Sequence, residues 1–258
     1  MALVKIDMNR KCVARVTLNR PEVHNAFNAE LIHELTDCLH SLGRHADVRV
    51  IVLTGAGKSF SAGADLNWMQ QAAANSEDDN RADALRLATL FETLNTCPKP
   101  IVGLINGAAL GGGVGLTACC DIAIASASAK FGLTEVRIGL SPATISPYVV
   151  ARIGQGHARR YMLTGERFDA TEALRIGLVS EISNDIEMAA QPVIDALLAG
   201  GPAAIADTKA LIADVADRPI TPELSAMTAQ RIGARRASDE GREGMAAFLD
   251  KRAPGWTQ

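Results

Sequence analysis

The chain has no surplus of positive charge: Lys+Arg is 26 against Asp+Glu at 29, a formal net charge of -3. The charge total therefore argues against nucleic acid or an acidic membrane as a general partner, although a local patch is compatible with it. Long apolar runs are missing too. Stretches such as Val50–Leu53 are far too short for a membrane-spanning helix. The opening MALVKIDMNRKC has neither the apolar core nor the cleavage site of a secretory signal. The five cysteines (Cys12, Cys38, Cys97, Cys119, Cys120) form no CxxC pair and no ligand spacing with the 5 histidines, so no metal site is expected. A reducing, cytoplasmic compartment is the expectation. Aromatics make up only 4% of the chain.

What the chain does have is 48% apolar residues and 22 glycines over 258 positions, enough for a real core in one large or two unequal units. Val13–Leu18 and Val50–Leu53 read as strands, with Ile101–Ile105, Ile122–Ala125 and a stretch within Gly177–Ile182 as further ones. Asn28 is placed to cap a helix carrying Leu31, Ile32, Leu35, Leu39 and Leu42 on one face. Strands separated by helices predict a layered α/β unit with much parallel pairing. VIVLTG and IVGLING, both running into glycine, are a faint echo of stacked similar units. From Ile186 onward the pattern predicts helices only, near 186–199, 202–216, 221–236 and 238–250. The polar, acidic 75–83 segment (NSEDDNRAD) reads as a mobile surface loop.

Two glycine motifs mislead. TGAGKSF has the ending of a phosphate-binding loop, but the glycine required five residues before the Gly-Lys pair is Val52. Gly113-x-Gly115-x-x-Ala118, with Glu135 twenty positions beyond Gly115, has dinucleotide-fold spacing. Seven residues separate Ile105 from Gly113, whereas that motif turns from strand to helix at once.

Two other loops carry more. Ser59–Asp65 and Asn106–Gly113 each follow a strand and lead into a helix, with Asp65 the cap of Leu66–Ala73 and Gly111–Gly113 opening a helix to Cys120. The first amides of a helix have no intrahelical acceptor and carry partial positive charge. Two of them converging on one oxygen would make an oxyanion hole. Tight helix–strand packing accounts for the same glycines.

NRPEVHNAFN (19–28), FSAGADLNWM (60–69), KPIVGLINGAALGGGVGL (99–116), CDIAIASASAKFGLTEVRIGLSP (120–142) and GMAAFLDKR (244–252) together resemble the crotonase, or enoyl-CoA hydratase/isomerase, superfamily. The resemblance implies a spiral of β-β-α units over 1–200 with the acyl-CoA site. It also implies a helical region at 201–258 that assembles trimers or dimers of trimers. The substrate would be an acyl-CoA thioester, with CoA part of that substrate, no separate cofactor, no nucleic acid and no membrane. The oxyanion donors would be the amides of Ala64 and Gly112. Ala62, Gly63, Asp65, Leu66 and Gly111 would line the substrate. Phe248 and Lys251 match the family's FxxK near the CoA phosphates, often from a neighbouring subunit; a solvated lysine at a helix end fits Lys251 equally.

Hydratases of this family commonly place two glutamates above the hole. The first position is Gly115 here, and FGLTE supplies the second as Glu135. Glu135 is thus the expected general acid/base, with a carboxyl pKa raised by loss of water. One glutamate suits a Δ3,Δ2-enoyl-CoA isomerase. The finer resemblance of GADLNWM and EVRIGLSPATISPYVVARIG is to bacterial methylglutaconyl-CoA hydratases, which favours hydration. A distal carboxylate on that substrate would need a partner such as Arg137, Arg152 or His24. A non-catalytic acyl-CoA or RNA binder is the reading of another class, for which Arg231, Arg235, Arg236 and Arg242 are the basic residues; a salt-bridged surface explains them as well. Asp121 reads as structural and Trp256 as part of a tail docking on a partner subunit.

Overall fold

A computed structural model describes residues 2–8 and 12–257. Its strands are β1 (Val4–Met8), β2 (Val13–Leu18), β3 (Val50–Gly55), β4 (Ser59–Ser61), β5 (Ile101–Ile105), β6 (Ala108–Leu110), β7 (Ile122–Ser126), β8 (Lys130–Gly132), β9 (Arg167–Asp169) and β10 (Glu181–Ser183). The helices are α1 (Ala29–Arg44), α2 (Leu66–Ala74), α3 (Glu77–Thr96), α4 (Gly112–Cys119), α5 (Ser146–Thr164), α6 (Ala170–Arg175), α7 (Ile186–Ala199), α8 (Pro202–Val215), α9 (Pro222–Ala237) and α10 (Asp239–Leu249).

Six strands form one sheet in the order β1-β2-β3-β5-β7-β10, and four form a second in the order β4-β6-β8-β9. Pairing is parallel except for β1 with β2 and β8 with β9. The chain gives one strand to the large sheet and the next to the small one, three times over: β3 then β4, β5 then β6, β7 then β8. This is the spiral of β-β-α units with C-terminal helices that was expected. VIVLTG and IVGLING occupy equivalent, adjacent places in it. β6 lies between Ile105 and the glycine triplet, which is why the dinucleotide-like spacing has the wrong context.

The large sheet is covered on both faces. One side packs Leu31, Leu35, Leu39, Leu90, Leu94 and their neighbours from α1 and α3. The other packs Val13, Val50, Val52, Val102, Leu104 and Ile124 against α7. A strand buried on both faces needs no polar alternation, which accounts for the unbroken apolar runs. Asn28 caps α1 as expected, its Oδ1 accepting from Leu31 N at 2.9 Å.

Three expectations are corrected. Residues 77–83 are not a loop but the first turns of α3, capped by Ser76 with Glu77, Asp78 and Asp79 in the first turn. Those acids favour the positive helix end, and Trp68 Nε1 donates to Asp83 Oδ2 at 2.9 Å. The strand sought in Gly177–Ile182 is Glu181–Ser183, because Gly177 takes φ +79° and turns the chain. Trp256 docks on its own chain, Nε1 donating to Ala199 O at 3.0 Å. Asp121 is structural, accepting from Ile101 N and Lys209 Nζ.

The last three helices bury little: no residue of α8, Leu224 of α9 and Ala247 of α10. Among the described residues no single helix is long and apolar enough to cross a membrane.

Candidate active site

β4, β6 and β8 are neighbouring parallel strands, so their C-terminal ends share one edge of the small sheet. Ala64 lies three residues past the end of β4, Gly112 two past β6 and Glu135 three past β8. Three segments distant in sequence thereby meet at one edge, the usual place for ligands in parallel sheets.

The meeting is close. A β-carbon added at Gly111 would lie 3.9 Å from Gly63 Cα and 3.1 Å from Glu135 Oε1. Gly111 caps α4 with φ 51° and ψ -117°, a conformation that only glycine takes without strain. Its N–H donates to Gly132 O at 2.8 Å, tying the loop to β8. On the other loop Gly63 has φ +89°, and a β-carbon there would press on Leu110 O at 3.0 Å.

Ala64 and Gly112 follow the touching glycines directly. Phe27 N donates to Gly63 O at 2.6 Å and Asp65 N donates to Phe27 O at 2.8 Å, a parallel bridge that passes over the Ala64 N–H. Gly112 is the first residue of α4, ahead of the first intrahelical donors, Val114 and Gly115, which both reach Gly111 O. Among the described residues, neither the Ala64 nor the Gly112 amide has a protein acceptor. Ala64 is exposed and Gly112 half-buried, so both are within reach of a ligand.

Glu135 opens a short 3-10 turn, Glu135–Ile138. Its Oε2 is buried and has no hydrogen-bond partner among the described residues. Burial pushes its carboxyl above the ordinary carboxylate range, against a smaller opposing pull from its own main-chain N–H. A carboxylate that gains a proton readily and has a free oxygen can take and return protons.

The position of the family's first glutamate, Gly115 here, is closed. A β-carbon on Gly115 would fall 2.3 Å from Ile145 Cγ2 and 2.9 Å from Phe91 Cε1. Phe91 stands edge-on to Phe27, ring centroids 6.4 Å apart, and Tyr148 packs tilted against Phe91 at 6.1 Å.

The segment 19–28, which carries part of the family resemblance, supplies the scaffold. Arg20 Nη2 donates to Asp65 Oδ2 at 2.7 Å and Nη1 to Ala26 O at 2.6 Å. Asp65 Oδ1 accepts from Asn67 N at 2.8 Å and caps α2. Burial pushes the Asp65 carboxyl up, but Arg20 and the amides of Asn67 and Trp68 outweigh it and hold it below the ordinary value. Asn25, fully buried, accepts from Arg20 N and donates to Ala56 O and Ser59 O. His24 and Asn25 both adopt left-handed φ, a departure asparagine tolerates. Two neighbouring residues able to take that turn were the available signal.

Of the other expected residues, Ala62 is half-buried and Leu66 exposed, flanking Gly63–Asp65. Phe248 is 82% exposed and Lys251 exposed at the end of α10, which packs on α8 and α9. Arg152 donates to the carbonyls of Leu178, Cys120 and Asp121, and His24 Nδ1 lies 3.0 Å from Ser59 Oγ. Arg137 is exposed and has no carboxylate partner among the described residues. Arg231 pairs with Asp207 and Asp214, and Arg235 with Glu240, so these arginines belong to ion pairs.

Residues 8–258 match the family model described as enoyl-CoA hydratase/isomerase. A crystal structure of an enoyl-CoA hydratase from Shewanella pealeana superposes with a TM-score of 0.97 at 45% identity, covering 99% of this chain and 96% of that one. The crotonyl-CoA hydratase of Syntrophomonas wolfei is 33% identical over 244 residues, 93% of this chain and 92% of its own. The short-chain-enoyl-CoA hydratase of Clostridium acetobutylicum is 32% identical over 244 residues, with 93% and 92% covered. A family match over nearly the whole chain and a shared spiral fold agree: the chain belongs to the enoyl-CoA hydratase/isomerase, or crotonase, family of enzymes.

Proposed function

We propose that the protein adds water across the C2=C3 bond of a 2-enoyl-CoA thioester, or removes it, with Glu135 as its one catalytic carboxylate. The observation that carries this is the Glu135 carboxyl at the meeting of the two glycine loops: its Oε1 lies 3.1 Å from where a β-carbon on Gly111 would stand, and its Oε2 is buried without a partner among the described residues. Glu135 takes a proton from water as the water oxygen bonds to C3. The π electrons move onto the thioester oxygen, where the amides of Ala64 and Gly112 hold the enolate. Protonated Glu135 then gives its proton to C2, leaving a 3-hydroxyacyl-CoA. A carboxyl with a raised pKa suits both halves of that exchange, since a base and its conjugate acid work best near the operating pH. The hole contributes where the charge develops, and each donor is worth about 10²–10³ in rate.

For the acyl group, the resemblance favours 3-methylglutaconyl-CoA. Of the three groups that could meet its distal carboxylate, Arg152 and His24 are engaged elsewhere, which leaves Arg137, two residues after Glu135. Self-association as a trimer or dimer of trimers through 201–258 is supported by the little that α8–α10 bury, and would bring Phe248 and Lys251 of one subunit towards the CoA of another.

Incubation with crotonyl-CoA, 3-methylglutaconyl-CoA and a 3-enoyl-CoA, followed by product mass, tests the reading. Gain of one water identifies the hydratase. A shifted double bond at constant mass makes the protein an isomerase working with the same glutamate. Binding of acyl-CoA with no turnover of any of the three makes it a binder.

A further inference from the structure

We infer that Phe27 is a positioning residue that holds the two amide donors in register with each other; the inference rests on the hydratase reading above. The main chain of Phe27 grips one donor loop while its ring supports the other. Its N–H and C=O bond to Gly63 O and Asp65 N, on either side of Ala64. Its ring lies directly under Gly112, where an added β-carbon would meet Cε2 at 2.4 Å and Cδ2 at 2.8 Å. Gly112 is therefore glycine because the ring occupies the space, and the height of its amide is set by that contact.

The ring cannot easily drift. Phe27 is 1% exposed and packed edge-on against Phe91. The next residue, Asn28, caps α1, so the main chain on that side is anchored in a helix on the core. An aromatic ring with two torsions is a stiff spacer, and its displacement would move Gly112 relative to Ala64. Misplacement of a reacting group by about 1 Å can cost about 10²-fold in rate. Phe27 touches no reacting atom, so its effect should fall on kcat.

The test compares wild type, Phe27→Leu, Gly112→Ala and the double variant with crotonyl-CoA. Phe27→Leu keeps the main-chain bridge and removes the support under Gly112. The expected result is a fall in kcat of about ten- to a hundred-fold with KM changed less than about three-fold. Gly112→Ala should also be slow, and the double variant faster than Gly112→Ala, because the added methyl enters the space the ring vacated. Difference infrared spectra of bound butyryl-CoA give an independent readout. Its thioester carbonyl stretch should sit lower on the wild-type enzyme than in solution and move back towards the solution value on Phe27→Leu. If the Phe27→Leu variant does not fold, Phe27→Met, closer in volume, takes its place. Unchanged kcat and carbonyl stretch in a variant that merely melts earlier would reduce Phe27 to core packing. A wild-type enzyme that leaves the butyryl carbonyl unshifted would overturn the oxyanion-hole reading itself, and the inference with it.

Discussion

Ile145 occupies the space that any side chain at position 115 would need, its Cγ2 2.3 Å from where a β-carbon on Gly115 would stand. The absence of the first of the two glutamates is thus part of the packing and not a vacancy. Gly115→Glu is expected to destabilise the fold by about 1–3 kcal/mol through overpacking, and more once its charge is buried. Hydration should not improve. Urea midpoints together with crotonyl-CoA turnover check this; a faster, equally stable variant would mean that Ile145 and Phe91 yield.

Glu135→Gln should lower turnover by about 10²–10⁴-fold while leaving butyryl-CoA affinity nearly intact. It should also raise thermal stability at neutral pH. The folded pKa of Glu135 lies above its unfolded value, so its contribution is most favourable below the unfolded pKa and is lost as pH rises through the folded pKa. The melting temperature of Glu135→Gln minus that of wild type should therefore grow over that window and level off above it. A difference independent of pH would contradict the buried, unpartnered state of the carboxylate.

Ala64→Pro removes one donor, and neither bond of the Phe27 bridge uses the Ala64 N–H. A loss in kcat of about 10²–10³-fold is expected, with circular dichroism unchanged. Full activity would remove Ala64 from the hole.

The Arg20–Asp65 pair is almost sealed from solvent, with side chains 13% and 6% exposed. Arg20→Ala leaves the Asp65 charge without its partner and should cost about 3–5 kcal/mol. Asp65 has a depressed folded pKa, so its contribution is complete above the unfolded value and is lost as pH falls through the folded one. The stability gap between wild type and Asp65→Asn should shrink on acidification, as read from denaturant unfolding at a series of pH values.

Phe248 and Leu249 are 82% and 77% exposed at the end of α10. On the proposed assembly, Phe248→Asp should shift sedimentation from trimer or larger species to smaller ones and weaken acyl-CoA binding. A wild-type monomer that binds acyl-CoA fully would sink the shared-site proposal.

Much of this molecule can be read along the chain because the information is local. Apolar β-branched runs bounded by glycine mark the strands of a sheet buried on both faces, and Asn28 and Asp65 mark helix starts by their own cap bonds. The ordered motifs identify the family and point to Ala64, Gly112 and Glu135. Local reasoning failed where one signal had two meanings: the acids of 77–79 suit a mobile loop and equally the positive end of a helix, and Ser76 decided between them.

The sequence by itself determined several strands of the large sheet and the C-terminal helices, which follow from neighbours a few positions away, and its ordered motifs determined the family and, through that resemblance, nominated Ala64, Gly112 and Glu135. Only the tertiary structure decided that β4, β6 and β8 end side by side, that Ile145 and Phe91 close the place of a glutamate at position 115, and that Phe27 spans both glycine loops. Those facts depend on contacts between segments far apart in the chain, made when strands pair in parallel and the core closes around them, and spacing along a single strand carries no record of them.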